Sequence, residues 1–354
     1  MQTVRCFFGN PPCSKRSILS DFNLTHLFLI FLSNHFIFNH AMYVHVVSGL
    51  HTVNTVCLTI IVLATISSNV CSIVFINRKG HERTLKDKIV TVLCVINCIQ
   101  STGYMVELQA TVKNVITAQA CNAAAFIICT CTYSSIGYFV ALTVERYLAI
   151  RKPFKYVLWF GESRNNSWWL AFPPIFGILL GIAPLAGWSA YGKSREVATY
   201  CGFDFTPTPG PRSYFLSICF FVFVVPLVIT ATAYASILID LQRTAQETKR
   251  KYGRNSNISR ASDNSVREQS LSCFMTGLVY IGCWVPYTIV CFQYYFNADS
   301  VSIEFEYISI YLSKISTIAS PIIYCLLERR FRLYVHDRMS VHMQPIVRKM
   351  SLKV

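Results

Sequence analysis

Seven runs of predominantly apolar residues, each about 20 long, lie near 50–76, 88–111, 122–145, 168–187, 213–240, 270–293 and 305–327, and a run of that length crosses a bilayer core as an α-helix. Pro, Gly, Ser and Cys interrupt these runs more often than clustered charge does, which suits helices packed on one another rather than single anchors in lipid. Only 14% of residues are charged, against about a quarter in soluble domains. The pattern predicts an all-α membrane protein: a seven-transmembrane helix bundle at 50–327, an amino-terminal segment at 1–49 and a carboxyl-terminal tail at 328–354.

Lys and Arg resist translocation and mark the cytoplasmic side. With the amino terminus outside, the inner loops and the tail hold 24 of the 32 Lys and Arg. The net charge of +15 is then an inner-face property, matched to anionic membrane lipid and an acidic partner and not to nucleic acid. A multi-pass plasma membrane protein with an extracellular amino terminus is expected.

Most of the 15 Cys fall inside spans, where Cys is a small packing residue. Cys121, at the outer end of the third span, and Cys201, in the outer loop after the fourth, both face the oxidising side and are the expected disulfide. Cys6 and Cys13 are open to a second bridge or to none. In the first 49 residues, Arg5, Lys15 and Arg16 precede a short apolar stretch from Leu27 to Phe38 that Asn34 and His35 break. A signal peptide and a retained outer tail both fit. Asn23 begins a glycosylation triplet, whereas those at Asn165 and Asn257 fall on the inner side. The polar, basic composition of 243–267 predicts a mobile linker. Glu328 to Val335 can form a short amphipathic helix on the inner membrane surface.

Lys314 is the most informative residue. A charged Lys near the bilayer centre costs about 2.5–3.5 kcal/mol. Glu328 is 14 residues further on, roughly 21 Å along a helix, too far for the side chain to snorkel to the inner face. Snorkelling to the nearer outer face, or an ion pair, is the plainer alternative. Desolvation otherwise favours a neutral amine, and a neutral amine condenses with an aldehyde.

Further motifs follow in order: Asn69, Glu145-Arg146-Tyr147, Gly187-Trp188-Ser189, Pro226 with Tyr234, Cys283-Trp284-Val285-Pro286-Tyr287 and Ser320-Pro321-Ile322-Ile323-Tyr324. Singly each is weak. Prolines are common in membrane helices, Arg146 can be solvated among headgroups, and Trp284 can be core packing. As an ordered set over about 50–335 they resemble the opsin family of class A G-protein-coupled receptors. In that family the retinal-binding Lys precedes the Pro of Asn-Pro-x-x-Tyr by seven positions and a Phe follows the Tyr by seven, as Lys314, Pro321, Tyr324 and Phe331 do here. Cys121 and Arg146 also keep the family's spacing.

The resemblance implies a light-sensing receptor, not an enzyme, with no catalytic residue and no metal site. Retinal, 11-cis or all-trans, would be held by a Schiff base on Lys314 in a pocket formed by Trp284, Tyr287, Phe223, Ile128 and Thr132. Glu145, Arg146, Tyr147, Tyr234, Pro321 and Tyr324 would serve activation and coupling to a heterotrimeric G protein, with Glu145 and Arg146 as an inner latch and arrestin as a further candidate partner. The alternative is a peropsin-like retinal photoisomerase that signals little.

Three departures stand out. Asn97 and Ser320 replace the family's Asp and Asn, and Pro174 stands where the fourth span has Trp, leaving the packing there open. The third span lacks the Glu counterion of vertebrate visual opsins, for Ala124 holds that position. Glu196 in the outer loop is the favoured substitute, and Glu107 is the alternative because a 10-residue separation puts it about 80° from the Asn97 face. The missing Glu points to a non-visual branch.

Overall fold

The computed structural model describes residues 49–77, 84–160, 163–194, 200–204, 208–296 and 301–327. Thr55–Val354 forms one compact unit and Met1–Asn54 another. In chain order the helices are α1 (Gly49–Ile76), α2 (Leu85–Lys113), α3 (Ala118–Arg151), the short α4 (Pro153–Phe160), α5 (Ser163–Ile182), α6 (Pro209–Ile218), α7 (Val225–Tyr252), α8 (Asn257–Phe296) and α9 (Ile303–Leu327). A π-helical turn, Cys219–Val224, joins α6 to α7. The predicted spans therefore fall on α1, α2, α3, α5, the α6–α7 run, α8 and α9.

Among the described residues four stretches, Thr52–Ile76, Leu85–Lys113, Ala118–Arg151 and Pro209–Tyr252, are long and apolar enough to cross a membrane, and Ser167–Ile182 is a shorter apolar helix. Side-chain placement agrees with a membrane bundle. Ile60, Leu63, Val74, Trp168, Phe172 and Leu179 lie exposed, while Asn69, Asn97, Gln100, Glu107 and Lys314 are buried, the distribution expected where lipid and not water surrounds the bundle.

Helix ends follow local chemistry. Thr84 and Asp87 form a reciprocal capping box at the start of α2, satisfying two otherwise orphaned N–H groups. Asn114, at φ +50°, closes the helix in the left-handed conformation that Asn tolerates. Thr117 accepts from the Ala120 N–H at 3.2 Å and caps α3.

Prolines inside helices leave carbonyls without their i+4 donor. Pro174 strands the carbonyl of Leu170, and the Tyr138 hydroxyl donates to it. This settles the packing around Pro174: a hydroxyl from α3 takes the place of the lost helical bond. Pro184, just beyond α5, does the same to Leu180, whose carbonyl accepts from the Tyr214 hydroxyl at 3.0 Å. Pro321 in α9 strands Thr317, whose carbonyl accepts from the amides of Asn69 at 3.0 Å and Asn97 at 3.3 Å. Ahead of Pro226 the chain widens into the π-helical turn, and the Val225 N–H bonds back to the Phe220 carbonyl.

The contact between α3 and α5 rests on small residues. A Cβ on Gly177 would lie 2.6 Å from the Thr130 carbonyl and against the Ser134 hydroxyl, and one on Gly181 would meet the Thr130 side chain. Gly177 and Gly181 thus form a small-x-x-x-small face on Thr130 and Ser134, which lets two backbones approach closely.

One expectation changes. The linker predicted at 243–267 is largely helix: α7 runs to Tyr252, α8 begins at Asn257, and only 253–256 lie between. Lys, Arg, Gln and Glu are good helix formers when exposed. Gly253 takes φ +81° at the turn, Ser256 caps the next helix by accepting from the Ser259 N–H at 3.1 Å, and Lys249 pairs with Asp263 at 2.7 Å. The outer loop contains an antiparallel pair, β1 (Tyr191–Lys193) and β2 (Cys201–Phe203), with Gly192 opposite Gly202. Cys121 and Cys201 form a disulfide that ties β2 to the start of α3. The amphipathic helix expected at 328–335 and the whole segment 1–48 lie outside the described residues.

Two outcomes follow. Gly177→Val should lower thermal stability in detergent by about 1–3 kcal/mol, whereas Gly192→Ala, where an added Cβ meets nothing within 4 Å, should leave the melting curve in place. Cys201→Ser should cost about 2–5 kcal/mol on the same assay, and peptide mapping of unreduced protein should recover 121 and 201 as one cross-linked pair.

Candidate functional site

Lys314 sits mid-way along α9 with 2% of its surface exposed, the only buried Lys or Arg among the described residues. Its Nζ donates to Glu107 Oε2 at 2.5 Å. Glu107, on α2 and equally buried, accepts with its other oxygen from the backbone N–H of Cys201 at 3.4 Å. One carboxylate therefore joins α2, α9 and the disulfide-bonded strand.

Glu107 reaches this place because of a polar stripe. Asn97, Gln100, Tyr104, Glu107 and Thr111 are all buried on α2 at alternating separations of three and four, the spacing of one helix face. An offset of about 80° is the offset between neighbouring rows of one face, so it does not turn Glu107 away from the Asn97 side. Glu196 lies outside the described residues.

A pocket opens beside Lys314 at the centre of the bundle. All five residues expected there, Trp284, Tyr287, Phe223, Ile128 and Thr132, line it with Lys314. The walls are mostly apolar and aromatic. The one amine in this lining is that of Lys314, so the pocket suits an apolar molecule that carries an amine-reactive group.

Sequence reasoning missed Gln100, Tyr104, Cys129, Tyr133 and Tyr200, which also line the pocket. The stripe on α2 was the available signal for the first two. Gln100 Nε2 donates to the Tyr104 hydroxyl at 2.8 Å and to Thr132 Oγ1 at 2.9 Å. The Tyr200 and Tyr287 hydroxyls lie 3.0 Å apart. Tyr200 precedes Cys201, and burial pushes its phenol well above the ordinary range, so it stays a neutral donor at physiological pH.

At the opposite, basic end, Glu145 is buried and accepts from the Tyr156 hydroxyl of α4 at 3.0 Å. Burial first, and the Glu145 carboxylate second, push the Tyr156 phenol up to about 12. Arg146 follows Glu145 in α3. Tyr147 packs with the cluster of Tyr234 and Ile237, and the Tyr234 hydroxyl accepts from Thr143 at 3.4 Å. Arg151 pairs with Asp240 of α7 at 2.5 Å. Pro321 lies inside α9 and so does Tyr324, whose side chain is outside the description.

Comparison with known proteins places these features in a family. Residues 68–324 match the family model described as 7 transmembrane receptor (rhodopsin family). Melanopsin-B of Xenopus laevis is 26% identical over 220 residues, covering 61% of this chain and 41% of that protein. The red-sensitive opsin of Xenopus laevis is 26% identical over 221 residues, 61% of this chain and 58% of its own length. The chain thus spans about two-fifths of the length of the melanopsin it matches. The crystal structure of squid rhodopsin aligns with a TM-score of 0.73 at 18% identity, over 84% of this chain and 83% of that one, a likeness of fold. With more than half of its length inside the family model, the chain belongs to the rhodopsin family of seven-transmembrane receptors and is of the opsin type.

Proposed function

We propose that this chain is a light-sensing receptor that binds retinal, 11-cis or all-trans, covalently on Lys314 and activates a heterotrimeric G protein. The observation that carries the reading is a buried amine, paired with a buried carboxylate, on the wall of an apolar pocket. Retinal supplies an aldehyde that condenses with an amine with loss of water, and a polyene whose shape changes on isomerisation.

Each residue has a task within that chemistry. Lys314 provides the amine, which must be neutral to attack a carbonyl. Glu107, at 2.5 Å from Nζ, takes the proton that the ammonium gives up and returns it to the imine nitrogen once the carbonyl oxygen has left as water. It also serves as counterion to the positive nitrogen of the attached state, a role that its contact with Nζ supports. Without a facing carboxylate a buried cation loses its proton. Trp284, Tyr287, Phe223, Ile128 and Thr132 shape the pocket around the apolar ligand, and Trp284 stands two residues before the kinking Pro286 of α8. A push on the indole is thereby delivered to the least supported point of that helix.

Coupling belongs to the basic end, where Glu145, Arg146, Tyr147, Tyr234, Pro321 and Tyr324 act as the latch and its surroundings, in a plasma membrane receptor whose amino terminus is extracellular. Arrestin and anionic lipid would meet the same basic face. Asn97 and Ser320 favour a second reading, a retinal photoisomerase with little signalling, because the junction of α2 and α9 lacks the family's acidic group. Nucleotide exchange on a G protein under illumination separates the two: the receptor raises it and the isomerase leaves it at the dark level.

Reduction with borohydride after incubation with 11-cis or all-trans retinal should place the label on Lys314, and Lys314→Ala should abolish it. Label recovered on another Lys would end this reading. Glu107→Gln should lower the pH at which half the visible band is lost by about two units or more, since removing one partner of a buried pair costs about 3–5 kcal/mol. Below that midpoint the nitrogen is protonated and absorbs in the visible; above it a near-ultraviolet band replaces it. Glu196→Gln should leave the midpoint in place. The reverse pattern would move the counterion to the loop.

A further inference from the structure

We infer that Tyr104 and Tyr200 form an aromatic cage around Nζ of Lys314, holding the positive charge there together with Glu107. The Nζ lies 4.2 Å from the ring centroid of Tyr104 and 5.2 Å from that of Tyr200. Both distances fall within the ~6 Å over which a ring face attracts a cation. An ammonium has three donors, and among the described residues one is placed, on Glu107. The remaining two have ring faces within reach and, among the described residues, no oxygen acceptor.

Both rings are fixed at their rims. The Tyr104 hydroxyl accepts from Gln100, which is held in turn on Thr132, and Tyr104 is 1% exposed. The Tyr200 hydroxyl is held on Tyr287, and its backbone adjoins the disulfide. The cage therefore closes from two directions, from α2 and from the loop joined to β2. Its rings are preorganised, so little conformational freedom is lost when charge arrives. Cation–π contacts strengthen when desolvated, and Lys314 and Tyr104 are both almost fully buried.

The titratable groups that share the pocket with Lys314, pair with it or pack beside Tyr104 are, among the described residues, Tyr104 and Glu107 from α2, Cys129 and Tyr133 from α3, Tyr200 from the loop, Cys219 from the π-helical turn, Tyr287 and Cys291 from α8 and Tyr311 from α9. Of these, only Glu107 is of a type that carries charge at neutral pH before environmental effects. Glu107 divides its two oxygens between Nζ and the Cys201 N–H. The rings add negative potential that needs no proton exchange and stays constant across the pH range. Tyr104 and Tyr200 are positioning residues: they act on the reactive nitrogen through their faces and form no bond to it.

The inference rests on Lys314 as the attachment site only for its use with retinal; the cage itself is a property of the ligand-free chain. The first measurement is the pH dependence of reductive methylation of Lys314, with formaldehyde and cyanoborohydride on retinal-free protein, read by peptide mass spectrometry. The midpoint reports the charge on the amine and is independent of reagent access. Tyr104→Leu should lower it by about one pH unit, a roughly tenfold change in the ratio of charged to neutral amine. Tyr200→Leu, whose ring is further away, should lower it by roughly half a unit. Tyr104→Phe and Tyr200→Phe keep the ring and should titrate as wild type, although Tyr104→Phe leaves Gln100 with one contact fewer and loses stability. The same order should appear in the pH midpoint of the visible band of retinal-loaded protein.

Leu and Phe variants with the same methylation midpoint would overturn the cage. Should Tyr104→Leu fail to reach the membrane, the Tyr200 pair decides on the same criterion. A wild-type protein that takes up no retinal while the methylation midpoints shift would keep the cage and remove the retinal reading. Retinal bound on Lys314 with midpoints unmoved would do the opposite.

Discussion

A buried ammonium and a buried carboxylate in contact are the constraint around which this bundle is organised. Desolvating either group alone costs several kcal/mol, and their attraction repays this only where geometry and further hydrogen bonds are good. Here Lys314 and Glu107 meet at 2.5 Å and the second carboxylate oxygen takes a backbone N–H from Cys201. The pair therefore joins α9, α2 and the strand that the disulfide ties to α3. Apolar residues of similar volume would hold the same helices together as well or better. An amine kept at that expense, on the wall of a pocket lined mostly by apolar and aromatic side chains, is better explained by reactivity than by stability.

The second organising feature is the set of carbonyls that prolines leave without donors. Thr317, Leu170 and Leu180 are each met by a side chain from another helix: Asn69 with Asn97, Tyr138 and Tyr214. Helix irregularities thus become joints between helices, since the lost intrahelical bond is replaced by an interhelical one. At the α1–α2–α9 junction the donors are amides, and Asn97 also bridges the Asn69 carbonyl and Ser135. An Asp in that place would offer acceptors only and could not donate to the Thr317 carbonyl unless protonated. The substitution of Asn for Asp is therefore suited to the joint it serves.

Much of this was legible in the sequence where the signal was periodic or chemically expensive. Seven apolar runs became helices because nothing else satisfies a backbone in lipid. Lys314 stood out because a charge in an apolar helix is costly, and Cys121 and Cys201 because one ends a span and the other lies in a loop on the same outer side. What stayed hidden depends on neighbours distant in the chain. Glu107 was undervalued because its angle to Asn97 was judged alone, whereas the stripe of five polar residues on α2 shows them to share a face. Gly177 and Gly181 matter only through Thr130 and Ser134, and nothing local announces that pairing. The three-residue strands β1 and β2 are too short for an alternating pattern. The helical extensions into 243–267 were masked by a composition that suits exposed helix and linker equally.

The walls of the pocket differ in how firmly they are held, and this bears on where a change in its contents is felt. On one side stand α2, α3 and α9, joined by the Lys314–Glu107 pair, the amide junction, the Gln100–Thr132 bond and the disulfide strand. On the other stand Cys219, Val222 and Phe223 of the π-helical turn and Trp284 and Tyr287 beside Pro286. A π-helical turn and a proline kink are the places where a helix lacks its regular ladder. A ligand that changed shape in the pocket would press on the α6–α7 run and α8 where their regular ladders are interrupted. Those helices continue to the basic end, where α7 is fastened to α3 through Asp240 and Arg151 and to α8 through Lys249 and Asp263. These last ties are partly exposed ion pairs, worth only about 0–1 kcal/mol each. Among the described residues, the buried ties lie on the side of the pocket that holds the amine, and the partly exposed ion pairs at the basic face.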